Sequence, residues 1–147
     1  MTRSKSRSAA RLAAVQALYQ SEMEGTPAAR LIHEFHDHRL GATIEGDTYV
    51  NAEQSFFDDL VSGTMARAAE IDELIAARLA EGWTLKRLDK PMKAILRVGA
   101  YELLARPDVP TPSVINEYLD VAEAFYDKRE KGFVNGLLDA IAKQARG

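Results

Sequence analysis

Cysteine is absent from the 147 residues. Disulfides, thiolate metal sites and cysteine nucleophiles are therefore excluded, and a reducing, cytoplasmic setting fits that composition. Long apolar runs are missing too: none approaches the ~20 residues that a helix needs to cross a bilayer. The start, MTRSKSRSAARLAAVQALYQ, is basic like an export signal, but Gln16 and Gln20 interrupt its apolar part, so it reads as a helix. Acidic residues are missing from the first 21 positions, which hold Arg3, Lys5, Arg7 and Arg11. That stretch carries +4, and a whole-chain charge of −3 leaves −7 on the rest. A cationic start on an acidic body suits a polyanion that touches one end of the molecule.

Strand-like alternation, repeats and low-complexity segments are also lacking, and what is there has a helical period. Over 8–24, Leu12, Val15, Leu18, Tyr19 and Met23 recur at spacings of three and four. Gly25 stops that helix, and Thr26-Pro27 opens a second that runs to about Arg39. Residues 40–50 read as loop. Asn51 is placed to cap a long segment from Phe56 to Trp83, with Gly63 as its break. Thr84–Leu88 reads as one short turn. Asp89 and Pro91 open a helix that is apolar around much of its circumference, from Met92 to Leu104. RPDVPTP stops it, and Thr111-Pro112 begins the next, with Val114, Ile115, Leu119, Ala122 and Phe125 inward. DKREKG, 127–132, reads as a charged turn before a last helix carrying Phe133, Val134, Leu137, Leu138 and Ile141. About seven helices in an all-α fold are expected.

Two places carry candidate binding chemistry. Arg3, Arg7 and Arg11, four apart, share a helix face, with Lys5 beside them. Cations at a helix N-terminus oppose the macrodipole, so an anion is expected there. Either the row is a solvated helix start or it neutralises phosphates. Lys128, Arg129 and Lys131 precede Gly132-Phe133. Either Phe133 belongs to the core, or it stacks on an RNA base while the cations and helix N–H groups take phosphate. The run HEFHDH places His33 and His36 on one face, but it lacks the two-histidine, four-apart spacing of helical zinc proteases and reads as a polar face. Nothing assembles a nucleophile, a base and an oxyanion donor, so an enzyme is not expected.

Segments ARLAAVQALYQ (10–20), RLDKPMKAILRVGAYELL (87–104), DVPTPSVINEYLDVAEAF (108–125) and GFVNGLLDAIAK (132–143), in that order and spacing, resemble the NusB family. The resemblance implies seven helices in two packed sub-bundles, about 1–63 and 64–147, with no catalysis and no cofactor. It implies binding of boxA RNA from ribosomal-operon leaders together with NusE, the small-subunit ribosomal protein ten, within the antitermination complex on RNA polymerase. Carried over by residue, the RNA-facing groups are Arg7 and Arg11, with Arg3 and Lys5 as extra cations, then Lys128, Arg129, Lys131 and Phe133. Tyr19 matches the aromatic that faces NusE, and Lys86 and Met92 stand where acids often meet that partner. Asn116, Glu117 and Asn135 are expected to tie the last two helices together. Further arginines common in the family are Ser8 and Ala9 here. Two other readings stay open: a helical adaptor without RNA, and an accessory domain akin to that preceding rRNA cytosine methyltransferases. A homodimer also stays open.

Overall fold

The computed structural model describes residues 3–38, 43–44, 47–48 and 53–147, with side chains over 5–37 and 53–147. Seven α-helices are described: α1 (Arg3–Glu24), α2 (Ala28–His38), α3 (Gln54–Ala66), α4 (Ala68–Ala76), α5 (Lys90–Ala105), α6 (Thr111–Glu123) and α7 (Lys128–Arg146). The fold is all-α. A 3-10 turn spans Leu85–Arg87, and Thr43–Ile44 pairs antiparallel with Asp47–Thr48 inside the stretch expected as loop. Most of that stretch, and the expected cap Asn51, lie outside the described residues. None of the described helices is long and apolar enough to cross a membrane.

Helix α5 organises the packing, touching α1, α3, α4, α6 and α7. Its sequence explains this: Met92, Ala94, Ile95, Leu96, Val98, Gly99, Ala100, Tyr101 and Leu103 cover most of its circumference and are all buried. Helix α1 runs antiparallel to it, with Glu22 at Lys93 and Arg11 at Glu102. The inner face of α1 differs from the expected stripe. Ala10, Ala14, Val15, Ala17 and Leu18 are buried, whereas Leu12, Tyr19 and Met23 are exposed. Small residues let α1 lie close to α5, and the larger ones face outward. Gly25, at φ +73, ends α1 in the left-handed region as expected.

Gly63 does not break the long segment. Helix α3 runs through it to Ala66, and the break falls at Arg67, whose φ and ψ are −105° and 21°. Gly63 serves another purpose: a methyl built there would clash with the hydroxyl-bearing edge of the Tyr101 ring. That ring lies directly on the α3 backbone, and its hydroxyl donates to Asp59 at 2.6 Å. Burial, then the Asp59 hydrogen bond and charge, push the Tyr101 hydroxyl up to about 12.

The segment DKREKG is also not a turn. Helix α7 begins at Lys128 and carries the basic residues on its first turn. At its other end, Arg146 donates to the carbonyls of Leu103 (2.9 Å), Arg106 (2.7 Å) and Val109 (2.7 Å). A cation on the last carbonyls of α5 suits its dipole and closes the α5–α6 loop against α7.

Candidate nucleic-acid interface

Two of the N-terminal cations, Arg7 and Arg11, are engaged inside the fold. Arg11 is 3% exposed. Its Nε and Nη2 donate to both carboxylate oxygens of Glu102, at 2.8 and 2.6 Å, and Nη1 donates to Glu117 at 2.8 Å. Glu102 is fully buried and also accepts from the Tyr118 hydroxyl at 2.8 Å. Burial alone would lower the Arg11 pKa, but the hydrogen bond and charge of Glu102, with Tyr118 and Glu117, hold it above its ordinary value. The expectation that Arg11 faces RNA is therefore corrected: its charge is sealed in the core. Glu117 is corrected as well, since with Ser8 and Arg11 it ties α6 to α1 rather than to α7.

Arg7 is nearly as enclosed, its side chain 13% exposed between Glu53 (3.1 Å) and Asp108 (3.9 Å). The guanidiniums of Arg7, Arg11 and Arg106 sit 4.5, 5.0 and 5.0 Å from the centroid of the Phe56 ring, a cation–π arrangement. The anion that the macrodipole argument required is thus supplied by the protein's own carboxylates. Lys5 is exposed, and α1 begins at Arg3, whose side chain lies outside the described residues.

The other cluster is open. Lys128 and Arg129 are exposed on the first turn of α7, while Lys131 is held by Glu123 at 3.1 Å. Phe133 is half-buried, packed against the core on one side. Gly132 and Gly136, four apart beside it, face open space, so internal packing requires neither. Between Phe133 and α5 opens a cavity of about 540 Å³ that also takes in Trp83, Arg87 and Tyr126. Sequence reading missed these three. An exposed tryptophan four residues before an arginine, just after Gly82, was the available signal.

Met92 lies at this cavity and Glu102 at Arg11, ten residues apart on α5, or about 15 Å of helix rise. The two cationic segments therefore stand toward opposite ends of α5. Among the described side chains, His33 pairs with Asp37 and His36 with Asp58.

A model of the NusB family matches residues 8–143. The transcription antitermination protein NusB of Sphingopyxis alaskensis is 67% identical over 144 residues, covering 98% of this chain and 97% of that protein. The chain belongs to the NusB family. The NusB of Caulobacter vibrioides is 51% identical, covering 95% of this chain and 94% of that protein. Among solved structures, T. maritima NusB superposes with a TM-score of 0.78 at 28% identity, covering all of this chain and 94% of that one. A structure of antitermination factors NusB and NusE in complex with dsRNA shares the fold, with a TM-score of 0.78 at 24% identity, covering 95% of this chain and 98% of that one.

Three positions, Tyr19, Lys86 and Met92, were expected to face NusE. Tyr19, 39% exposed, lines a groove of about 340 Å³ with Met23, Pro91 and Phe125. Met23 and Phe125 are exposed apolar residues as well, at 53% and 45%. Lys86 is exposed on the 3-10 turn. Met92 is 4% exposed and lies on the floor of the aromatic cavity instead. Its expected place in the partner contact is corrected: Pro91, its neighbour, is the α5 residue that reaches the Tyr19 groove.

Proposed function

We propose that this chain is a non-catalytic, RNA-binding transcription antitermination factor. It binds boxA RNA of ribosomal-operon leaders together with NusE, the small-subunit ribosomal protein ten, and joins the RNA polymerase antitermination complex. The observation that carries this reading is the start of α7, where half-buried Phe133 stands beside exposed Lys128 and Arg129 and the bare backbone of Gly132 and Gly136. A base stacks on the ring while the cations and helix N–H groups take phosphate. Family membership supports the reading, as do the relatives named as antitermination proteins and the NusB of the same fold solved with NusE and dsRNA. The exposed apolar groove at Tyr19 fits the protein partner, and Lys5 extends the RNA path.

The test is an anisotropy titration with boxA and scrambled RNA, with and without NusE. Specific binding that NusE tightens is expected. No binding at low salt, even with NusE, would favour a helical adaptor. In the same assay Phe133→Ala weakens RNA binding by about 1–3 kcal/mol, the loss of one stacked base. Unchanged affinity would remove Phe133 from the site.

Burial also sets a salt dependence. Single-stranded binding loses about 0.7 in the log–log salt slope per neutralised phosphate. Lys128 and Arg129, exposed at the start of α7, correspond to a slope of about −1.4, whereas adding the internally paired Arg7, Arg11 and Lys131 would give about −3.5. A titration of this chain without NusE is expected near the smaller figure. A slope near about −3.5 would mean that the internal pairs of Arg7, Arg11 and Lys131 open on binding.

A further inference from the structure

Helix α1 turns small residues inward and carries its large apolar ones outward. Leu12, Tyr19 and Met23 are 37%, 39% and 53% exposed. At about 3.6 residues per turn, Lys5, Leu12, Gln16, Tyr19 and Met23 fall within about 60° of the helix circumference. They form one strip, about 16 Å long between Leu12 and Met23. Leu12, Gln16, Tyr19 and Met23 follow one another at spacings of four, three and four, the pattern of a seam between two helices.

The strip is self-complementary. About a twofold axis beside Gln16, an antiparallel second copy sets Leu12 opposite Tyr19 and Tyr19 opposite Leu12, so that an aromatic ring meets a branched side chain twice. The Gln16 amide both donates and accepts, so two copies of it at the axis can bond each other. The charges agree. Exposed Lys5 stands near the start of α1 and exposed Glu24 at its end, and antiparallel pairing brings each within about one helical turn of the other in the second copy. A parallel pair would set like charges together at both ends.

We propose that α1 pairs antiparallel with α1 of a second copy of this chain, and that this pairing and NusE exclude each other. Tyr19 and Met23 belong both to the strip and to the groove assigned above to NusE. The exclusion rests on that reading, whereas the pairing does not. One helix wide and about 16 Å long, the strip covers less than the ~800 Å² per partner of a standard stable interface, so the association is weak and reversible.

The chain holds no cysteine, so single introduced thiols report the geometry. Gln16→Cys brings two thiols to the axis, and a short bismaleimide is expected to link them. Ala9→Cys, at an exposed position of the same helix, leaves the thiols about 20 Å apart in the antiparallel pair, and no link is expected. Equal linking at both positions, or at neither, would overturn the proposal. Sedimentation velocity at rising protein concentration is expected to show a monomer–dimer equilibrium that Leu12→Lys weakens at least about tenfold. A Leu12→Lys protein that is folded by circular dichroism yet dimerises like its parent would overturn the proposal. Leu12 lies outside the Tyr19 groove, so this variant is expected to keep its affinity for NusE. Excess NusE is expected to suppress the Gln16→Cys link. NusE that binds the Gln16→Cys protein without suppressing the link would overturn the exclusion. NusE that binds neither this protein nor its parent would overturn the partner reading and leave the pairing standing.

Discussion

Arg11→Met lowers the stability of this protein by about 3–5 kcal/mol, because it leaves Glu102 as an uncompensated charge in the core. For a chain of this size that corresponds to a drop in Tm on the order of 10 °C. Arg11→Lys also destabilises, since one ammonium cannot reproduce the paired donation to both oxygens of Glu102. Urea unfolding followed by circular dichroism measures both. Replacing the cluster as a unit, with Arg11→Met, Glu102→Leu and Tyr118→Phe, is expected to recover much of the loss, because no buried polar group of the three remains unpaired. Below its melting temperature the Arg11→Met protein keeps its RNA affinity, as expected for a residue that does not reach the surface. If the single variant were as stable as the parent, the cluster would not be holding α1, α5 and α6 together.

The second large effect is at Gly63. A methyl group there meets the Tyr101 ring, and that ring has little freedom to move, being buried with its hydroxyl held by Asp59. Gly63→Ala is expected to cost about 3 kcal/mol, the upper end of ordinary overpacking. Helix propensity alone predicts the opposite sign, a gain of up to about 1 kcal/mol for alanine over glycine in a helix. Gly132→Ala supplies the contrast: that position faces open space, so the propensity gain should appear. Tyr101→Leu in the Gly63→Ala background is expected to relieve part of the clash. Additive losses in that double variant would show that the two residues do not compete for the same space.

The helical period made the seven helices legible, because each buries an apolar face and the breakers fall between them. The errors came where side-chain size or local charge outweighed that period. On α1, reading large apolar residues as the inner face placed Leu12, Tyr19 and Met23 inward, whereas alanines face α5 because the helices lie close. Arg11 shares its face with Ala14, Val15 and Leu18, at spacings of three, four and seven. Arg7 and Arg11 therefore continue the buried face. Its companion signal was Glu102, a lone acid inside the apolar run of α5. The start of α7 was misread because DKREKG is charged and ends in glycine. Yet Asp127 followed three residues later by Glu130 has the spacing of a capping box, and the helix does begin at Lys128. In the candidate site, Phe133 and the cations beside it could be found from sequence. Trp83 and Arg87 join them only because α4 ends at Ala76 and the chain then turns back over the start of α5, which the pattern of one segment does not encode.

The enclosure of Arg7 and Arg11 has a practical corollary at the bench. Mobile ions weaken attractions between exposed charges but reach buried pairs far less, and the clasp around Glu102 is closed to solvent. A strong salt wash should therefore strip a clinging polyanion from the purified protein while the helices stay locked, so that nucleic-acid-free material can be prepared without denaturing and refolding it.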